Sequence, residues 1–300
     1  MPRVVDYTEY PKYNTRAIRA KLGISLRTRR LEDKEIEVYR VLRLITTERL
    51  LPVHALTGEK FGRAWLQCTE VHYLNWMNGI RHQDPSLNNL MHRERDDGTV
   101  CAVLNDWDLA LDAHEPRTHT GFETTGTIPF MAIDLLQPKA LKGQVRHLYR
   151  HDLEAFVWIL VWVVCCFHEG KRLAPLPNAF DRWTLGDPSQ CLSSKRTILD
   201  DGWPGKEEGT PTANWVDREE VLAGTLLGWI HDLFGRKEAK KPPRTWIMST
   251  KVDKEVDAPQ PPELEPEEVW EEFQTAVKRA VRWADSDTLK YINDCFPSQR

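Results

Sequence analysis

Asp84 and Asn89 stand five positions apart in HQDPSLNNLM, residues 82–91, between apolar flanks. Two oxygen-bearing side chains at that spacing can close a turn or contribute to a metal site. A third, Asp106 in the run Asn105-Asp-Trp-Asp, follows two apolar segments separated by Asp97 and Gly98. Asp-Gly between apolar segments marks the turn of a hairpin, which would leave Asn89 and Asp106 flanking it. His147 and His151 form an i, i+4 pair that could in principle hold a metal, but no glutamate accompanies them in a zincin arrangement. They read as polar contacts near a loop.

Several elements must position these groups. Phe61, Trp65, Cys68 and Val71 recur at three and four residues and predict a helix over residues 58–78 that delivers the chain to Asp84. YRVLRLI, residues 39–45, has the β-branched and aromatic character of a short strand. Residues 109–133 are polar, without a clear period, and read as a long loop of the kind that is more often functional than decorative. HLYRHDLEAFVWILVWVVCCFH is apolar nearly all round, as expected of a helix enclosed by others, with Trp158 and Trp162 as core residues. Residues 169–217, rich in proline and glycine, read as a surface loop, and residues 251–268 as an extended acidic, proline-rich segment. Amphipathic helices are expected over residues 221–234 and 269–284, the latter with Trp270, Phe273, Val277, Ala280 and Val281 on one side.

The 300 residues, 41% hydrophobic and 29% charged, suit a globular chain, and a net charge of −4 gives no electrostatic basis for general nucleic-acid binding. Six cysteines, without a C-x-x-C pair, read as reduced thiols and point to a cytoplasmic or nuclear protein. RKEAKKPPR, residues 236–244, reads as a solvated loop or a nuclear-import signal. The N-terminus lacks an apolar signal region, so secretion is not expected. The longest apolar run, residues 155–167, covers 13 residues where a membrane span needs about 20, so no membrane association is expected.

Taken in order, His82-x-Asp84, Asn89, Asp106-Trp-Asp, Thr125-Gly-Thr-Ile-Pro-Phe-Met-Ala and His151-Asp-Leu-Glu resemble the C-terminal lobe of a protein kinase. The series is most similar to the fungal-type protein kinase family, over about residues 39–162. The resemblance implies an α+β, kinase-like fold, with a mainly helical C-terminal lobe over residues 47–300 and a reduced β-containing N-terminal lobe over residues 1–46. It implies ATP-dependent transfer of the γ-phosphate to a protein hydroxyl, serine or threonine before tyrosine, with Mg2+ as cofactor and an unknown protein substrate. Asp84 would orient the hydroxyl, and Asn89 and Asp106 would hold magnesium. His82 and Asp152 would support the catalytic loop, and Thr125, Gly126 and Thr127 would belong to the activation segment.

The chain departs from the kinase pattern at several points. Gln83 replaces the arginine of H-R-D, Ser86 stands where many protein kinases place a lysine, and Asp108 replaces the glycine of D-F-G. No two glycines lie two positions apart, so the G-x-G-x-x-G phosphate loop is absent, and no V-A-I-K-like strand precedes Asp84; the nucleotide-binding lysine is unknown. Only 38 residues precede Tyr39, fewer than a full small lobe of roughly 60 residues requires. A truncated or catalytically impaired kinase acting as an interaction module is therefore the competing reading. A small-molecule kinase is the third, because Asp84-Pro-Ser without lysine also resembles choline and aminoglycoside kinases.

Overall fold

The computed structural model describes residues 2–26, 28–31, 34–37, 39–114, 126–201, 217–239, 264–281, 290 and 292. Its N-terminal part comprises β1 (Val4–Asn14), α1 (Thr15–Lys21), β2 (Thr28–Leu31), β3 (Lys34–Glu37) and β4 (Val41–Thr47). β1 pairs antiparallel with β4, setting Tyr7 opposite Ile45 and Tyr10 opposite Leu42, and β2 pairs with β3. Asn14 caps α1 by accepting from the Ala17 N–H at 2.7 Å. Alternation along β1 and β4 puts Tyr7 and Ile45 on one face and Tyr10, Leu42 and Leu44 on the other, and all five are exposed. A two-stranded ribbon without a covering layer is marginal in water.

β5 (Leu51–Pro52), α2 (Gly58–Met77), β6 (Ile80–Arg81), β7 (Leu90–Glu94), β8 (Val100–Leu104) and β9 (Leu111–Asp112) follow. β7 and β8 form the hairpin expected from Asp97-Gly98, and β5 adds to its edge in the order β5-β7-β8. Gly98, at φ +78°, takes the left-handed turn position, while Asp97 Oδ1 accepts from the Thr99 N–H at 2.8 Å. α2 buries Phe61, Trp65 and Cys68 as the periodicity predicts and adds His72 and Trp76 to the same inward set.

The helical part is built from α3 (Pro138–Leu141), α4 (Tyr149–Cys166), the short hairpin β10 (Phe167–His168) and β11 (Lys171–Arg172), α5 (Asn178–Asp181), α6 (Pro188–Asp201), α7 (Asp217–Ala239) and α8 (Pro266–Val281). Every residue of α4 is buried, because α2, α7 and α8 all pack on it. The Trp65 indole N–H donates to the Phe156 carbonyl at 2.9 Å and ties α2 to α4. α8 lays Trp270 flat on Tyr73 with 4.6 Å between ring centroids, and Phe273 sits beside Trp65 and Trp229. Among the described residues no helix is long and apolar enough to cross a membrane.

Three sequence expectations need correction. Residues 169–217 are not a surface loop throughout: residues 178–201 carry α5, a short 3-10 turn over Arg182–Thr184 and α6, which together bury Phe180, Trp183, Cys191, Lys195 and Ile198. Pro188 there is the first residue of a helix, the interior-incompatible residue at the one helical position that tolerates it. Residues 109–133 hide β9, whose Leu111 and Asp112 pair with Arg81 and Ile80; two residues are too few to show a period. Within residues 251–268, Pro266 begins α8, and Glu267 and Glu268 lie in its first turn, where negative charge complements the helix dipole. Residues 251–263 of that segment lie outside the described residues, as do residues 240–244 of the basic stretch.

Candidate active site

The loop from His82 to Asn89 is held by hydrogen bonds to its own backbone and to α4. Burial pushes the His82 imidazole down, against the weaker opposing pull of its bond to Asn105, so the ring is neutral at pH 7. Its Nδ1 accepts from the Asp84 N–H at 3.3 Å and its Nε2 donates to the Asn105 carbonyl at 2.9 Å, while its face meets Trp107 at 4.6 Å. Gln83 adopts φ +68°, and its N–H donates to Asp152 Oδ2 at 3.1 Å. Asn89 Nδ2 donates to the Asp84 carbonyl at 3.0 Å, which fixes the amide and turns its oxygen away from that bond.

The far end of the hairpin returns to the same place. The Asn105 N–H donates to the Asn89 carbonyl at 2.8 Å, and the Asn105 carbonyl is the acceptor for His82. One residue later Asp106 takes φ +60°, a left-handed conformation that aspartate tolerates better than most residues. The sharp turn therefore falls on Asp106, not on Asp108 where glycine was missed. Among the described residues the exposed Asp106 carboxylate makes no hydrogen bond or ion pair. Gln83 and Asp106 are two of three non-glycine residues with positive φ among the described residues, and such outliers persist only where surroundings over-determine them.

Asp84 is half-buried, and its Oδ1 accepts twice from Thr127, from the N–H at 2.8 Å and the hydroxyl at 3.0 Å. Gly126, at φ +143°, precedes that contact; a Cβ there would lie 2.7 Å from Met131 Cγ. Thr125 lies outside the described residues. Next to Asp84 a shallow recess is lined by Pro85, Thr127, Met131, Leu135 and His151, among others.

Asp152 sits in the first turn of α4 with 1% of its side chain exposed. Burial alone would raise its pKa. The charge and hydrogen bonds supplied by His147 on Oδ1 and His72 on Oδ2 outweigh burial and hold the carboxyl well below the usual range. His147 and His151 make polar contacts near the loop, as expected, and both are buried. His151 Nδ1 accepts from the Leu148 N–H at 3.1 Å, and burial pulls its pKa down to about 3.

The groups that sequence reasoning did not assign are the ones that hold the segment after Thr127. Glu154 Oε1 accepts from the Ile133 N–H at 2.8 Å and from the Trp158 indole at 2.9 Å, and burial raises its pKa. Arg150 donates to Asp134 at 2.7 Å. His72 and Glu154 carry a faint signal in sequence, since each is a polar residue on a helix between apolar neighbours; Arg150, between Tyr149 and His151, carries none.

Magnesium fits the available donors. Among the described residues no group of three or more His, Cys, Asp or Glu side chains could hold a metal, so an all-protein cage is not present. Magnesium is commonly held by one or two protein oxygens together with substrate phosphates and water. The free Asp106 carboxylate and the fixed Asn89 amide oxygen provide that kind of partial ligand set. Asn89 and Asp106 are brought together through Asn105, Asp84 and Asn89 through one hydrogen bond, and Asp152 reaches the loop through Gln83.

No curated protein matches the chain. Residues 64–164, about a third of the chain, match the family model described as fungal protein kinase, and this stretch contains Asp84, Asn89, Asp106 and Asp152.

Proposed function

We propose that this chain is a kinase-like phosphotransferase that moves the γ-phosphate of ATP to a protein hydroxyl, serine or threonine in preference to tyrosine. The observation that carries this reading is the anchoring of Asp84: one carboxylate oxygen is committed to Thr127, leaving the other to accept from an incoming hydroxyl. Thr127 thus sets the direction in which Asp84 presents its second oxygen. Asn89 and Asp106 would hold magnesium, which when bound would neutralise charge on the nucleotide phosphates. Asp152 keeps the loop backbone in register through Gln83, and His82 keeps Asp106 beside the loop through Asn105. In this reading residues 1–46 are a reduced small lobe and residues 47–300 the large one.

A second reading, a catalytically impaired kinase relative that acts by binding a partner, is favoured by a separate observation. The β1–β4 ribbon is exposed on both faces, and the glycine-rich loop that would cover the phosphates is absent from the chain. The two readings, and a small-molecule kinase, separate in one assay. Label from γ-labelled ATP should appear in a mixed protein acceptor, and Asp84→Asn should lower the rate by about 10²–10⁴-fold with the melting temperature unchanged. Transfer to amino alcohols or aminoglycosides alone would favour the small-molecule reading, and no transfer would favour the binding module.

A further inference from the structure

Lys195 is fully buried, on a helix that lies outside the matched residues 64–164. A lysine with no exposed surface is rare and calls for compensating partners. Its Nζ donates to the Met131 carbonyl at 2.6 Å and lies 4.8 and 5.0 Å from the ring centroids of Trp158 and Trp183. The two indoles meet edge to face and present π surface to the ammonium. Glu154 adds electrostatic attraction, although burial still pulls the lysine down to about 8. At pH 7 the group is a cation held in the core.

Its carbonyl partner belongs to the segment that holds Asp84. The Met131 N–H donates to the Thr127 carbonyl at 3.1 Å, closing a turn, and Thr127 donates twice to Asp84 Oδ1. One helical turn before Lys195, the Cys191 thiol reaches the Ile128 carbonyl at 3.5 Å. On the opposite side Glu154 takes the Ile133 N–H. Residues 127–133 are thereby fixed between a buried cation on α6 and a buried carboxyl on α4, with Thr127 at the end that touches Asp84.

We propose that Lys195 is a positioning residue for Asp84, acting through Met131 and Thr127 to set the orientation of the carboxylate. This rests on the phosphotransferase reading for its consequence but not for its geometry. Loss of the ammonium would release the Met131 carbonyl, loosen the 127–131 turn and let Asp84 rotate. The loop backbone on the other side of Asp84 is anchored independently, by Asp152, and would stay in place.

The test is hydrogen exchange of two amides in the full chain, with and without Lys195→Met. The Thr127 amide should exchange about tenfold or more faster, while the Gln83 amide stays within about twofold of wild type. Lys195→Arg, which keeps a charge and a donor, should restore much of the protection. Equal acceleration of both amides, or no change at Thr127, would overturn the proposal. If Lys195→Met does not fold, Lys195→Gln, polar but too short to reach Met131, carries the same comparison. In the transfer assay Lys195→Met should lower kcat about tenfold or more with the KM for ATP unchanged. A wild-type chain that transfers no phosphate would defeat the phosphotransferase reading, while the exchange comparison would still decide the positioning.

Discussion

At the scale of single residues, the groups around the candidate site include some whose charge state burial has set. His151 is held neutral with a pKa of about 3, against about 6.5 when exposed in the unfolded chain. Between those values the unfolded chain binds the proton that the folded one refuses. His151 therefore contributes stability that is full above about pH 6.5 and is lost as pH falls towards 3. Urea unfolding measured across that range should show this decline, and His151→Gln, which keeps an acceptor for the Leu148 N–H, should flatten it. A parallel decline in the variant would assign the acid sensitivity elsewhere. The placing of Asn89 and Asp106 at the two ends of one hairpin was legible in sequence, because the Asp97-Gly98 turn is distinctive and restricts their spacing. Lys195 was not, since a single lysine among serines and a threonine looks like a solvated helix face until the two tryptophans around it are known.

At the scale of elements, α4 is the part on which the rest is assembled. It carries Asp152 to the loop, Glu154 and Arg150 to the segment after Thr127, and Trp158 and Trp162 to α5 and α6. Trp158 combines full burial with a hydrogen bond to Glu154 and a face towards Lys195. Trp158→Ala should cost about 3–5 kcal/mol, read as a lower urea midpoint with an unchanged slope. A loss below about 1 kcal/mol would mean that α6 repacks freely and that its hold on residues 127–133 is weak. The long helices and the β7–β8 hairpin were legible because their periods run over many residues or their turn residues are distinctive. β9 and α6 were not: β9 is two residues long and defined by its partner, and α6 has few inward apolar positions among polar ones.

At the scale of the whole molecule, burial is uneven. The helical part encloses α4 completely, whereas Leu42 and Leu44 in β4 keep 53% and 54% of their surface exposed. Nothing in composition marks this difference, because the same β-branched and aromatic residues that build an exposed ribbon also build a covered strand. The α+β class was implied by the kinase resemblance, but which apolar faces are covered depends on contacts between distant segments. The consequence for function is specific. Asp84, Asn89 and Asp106 lie in the well-packed part, outside the ribbon, and under the proposed function nucleotide affinity would depend on what lies above them.

The most direct measurement is the melting temperature of the full chain with and without magnesium-ATP, compared with Asp106→Ala. A ligand that binds only the folded state stabilises it by about 2.7 kcal/mol at one hundred times its Kd, so even a weak site registers at millimolar nucleotide. The expected result is a rise in melting temperature for the wild-type chain that requires magnesium and is lost in Asp106→Ala, whose own melting temperature without ligand is unchanged. No rise in the wild-type chain at any magnesium-ATP concentration, or an equal rise in Asp106→Ala, would contradict a nucleotide centre built on Asp106.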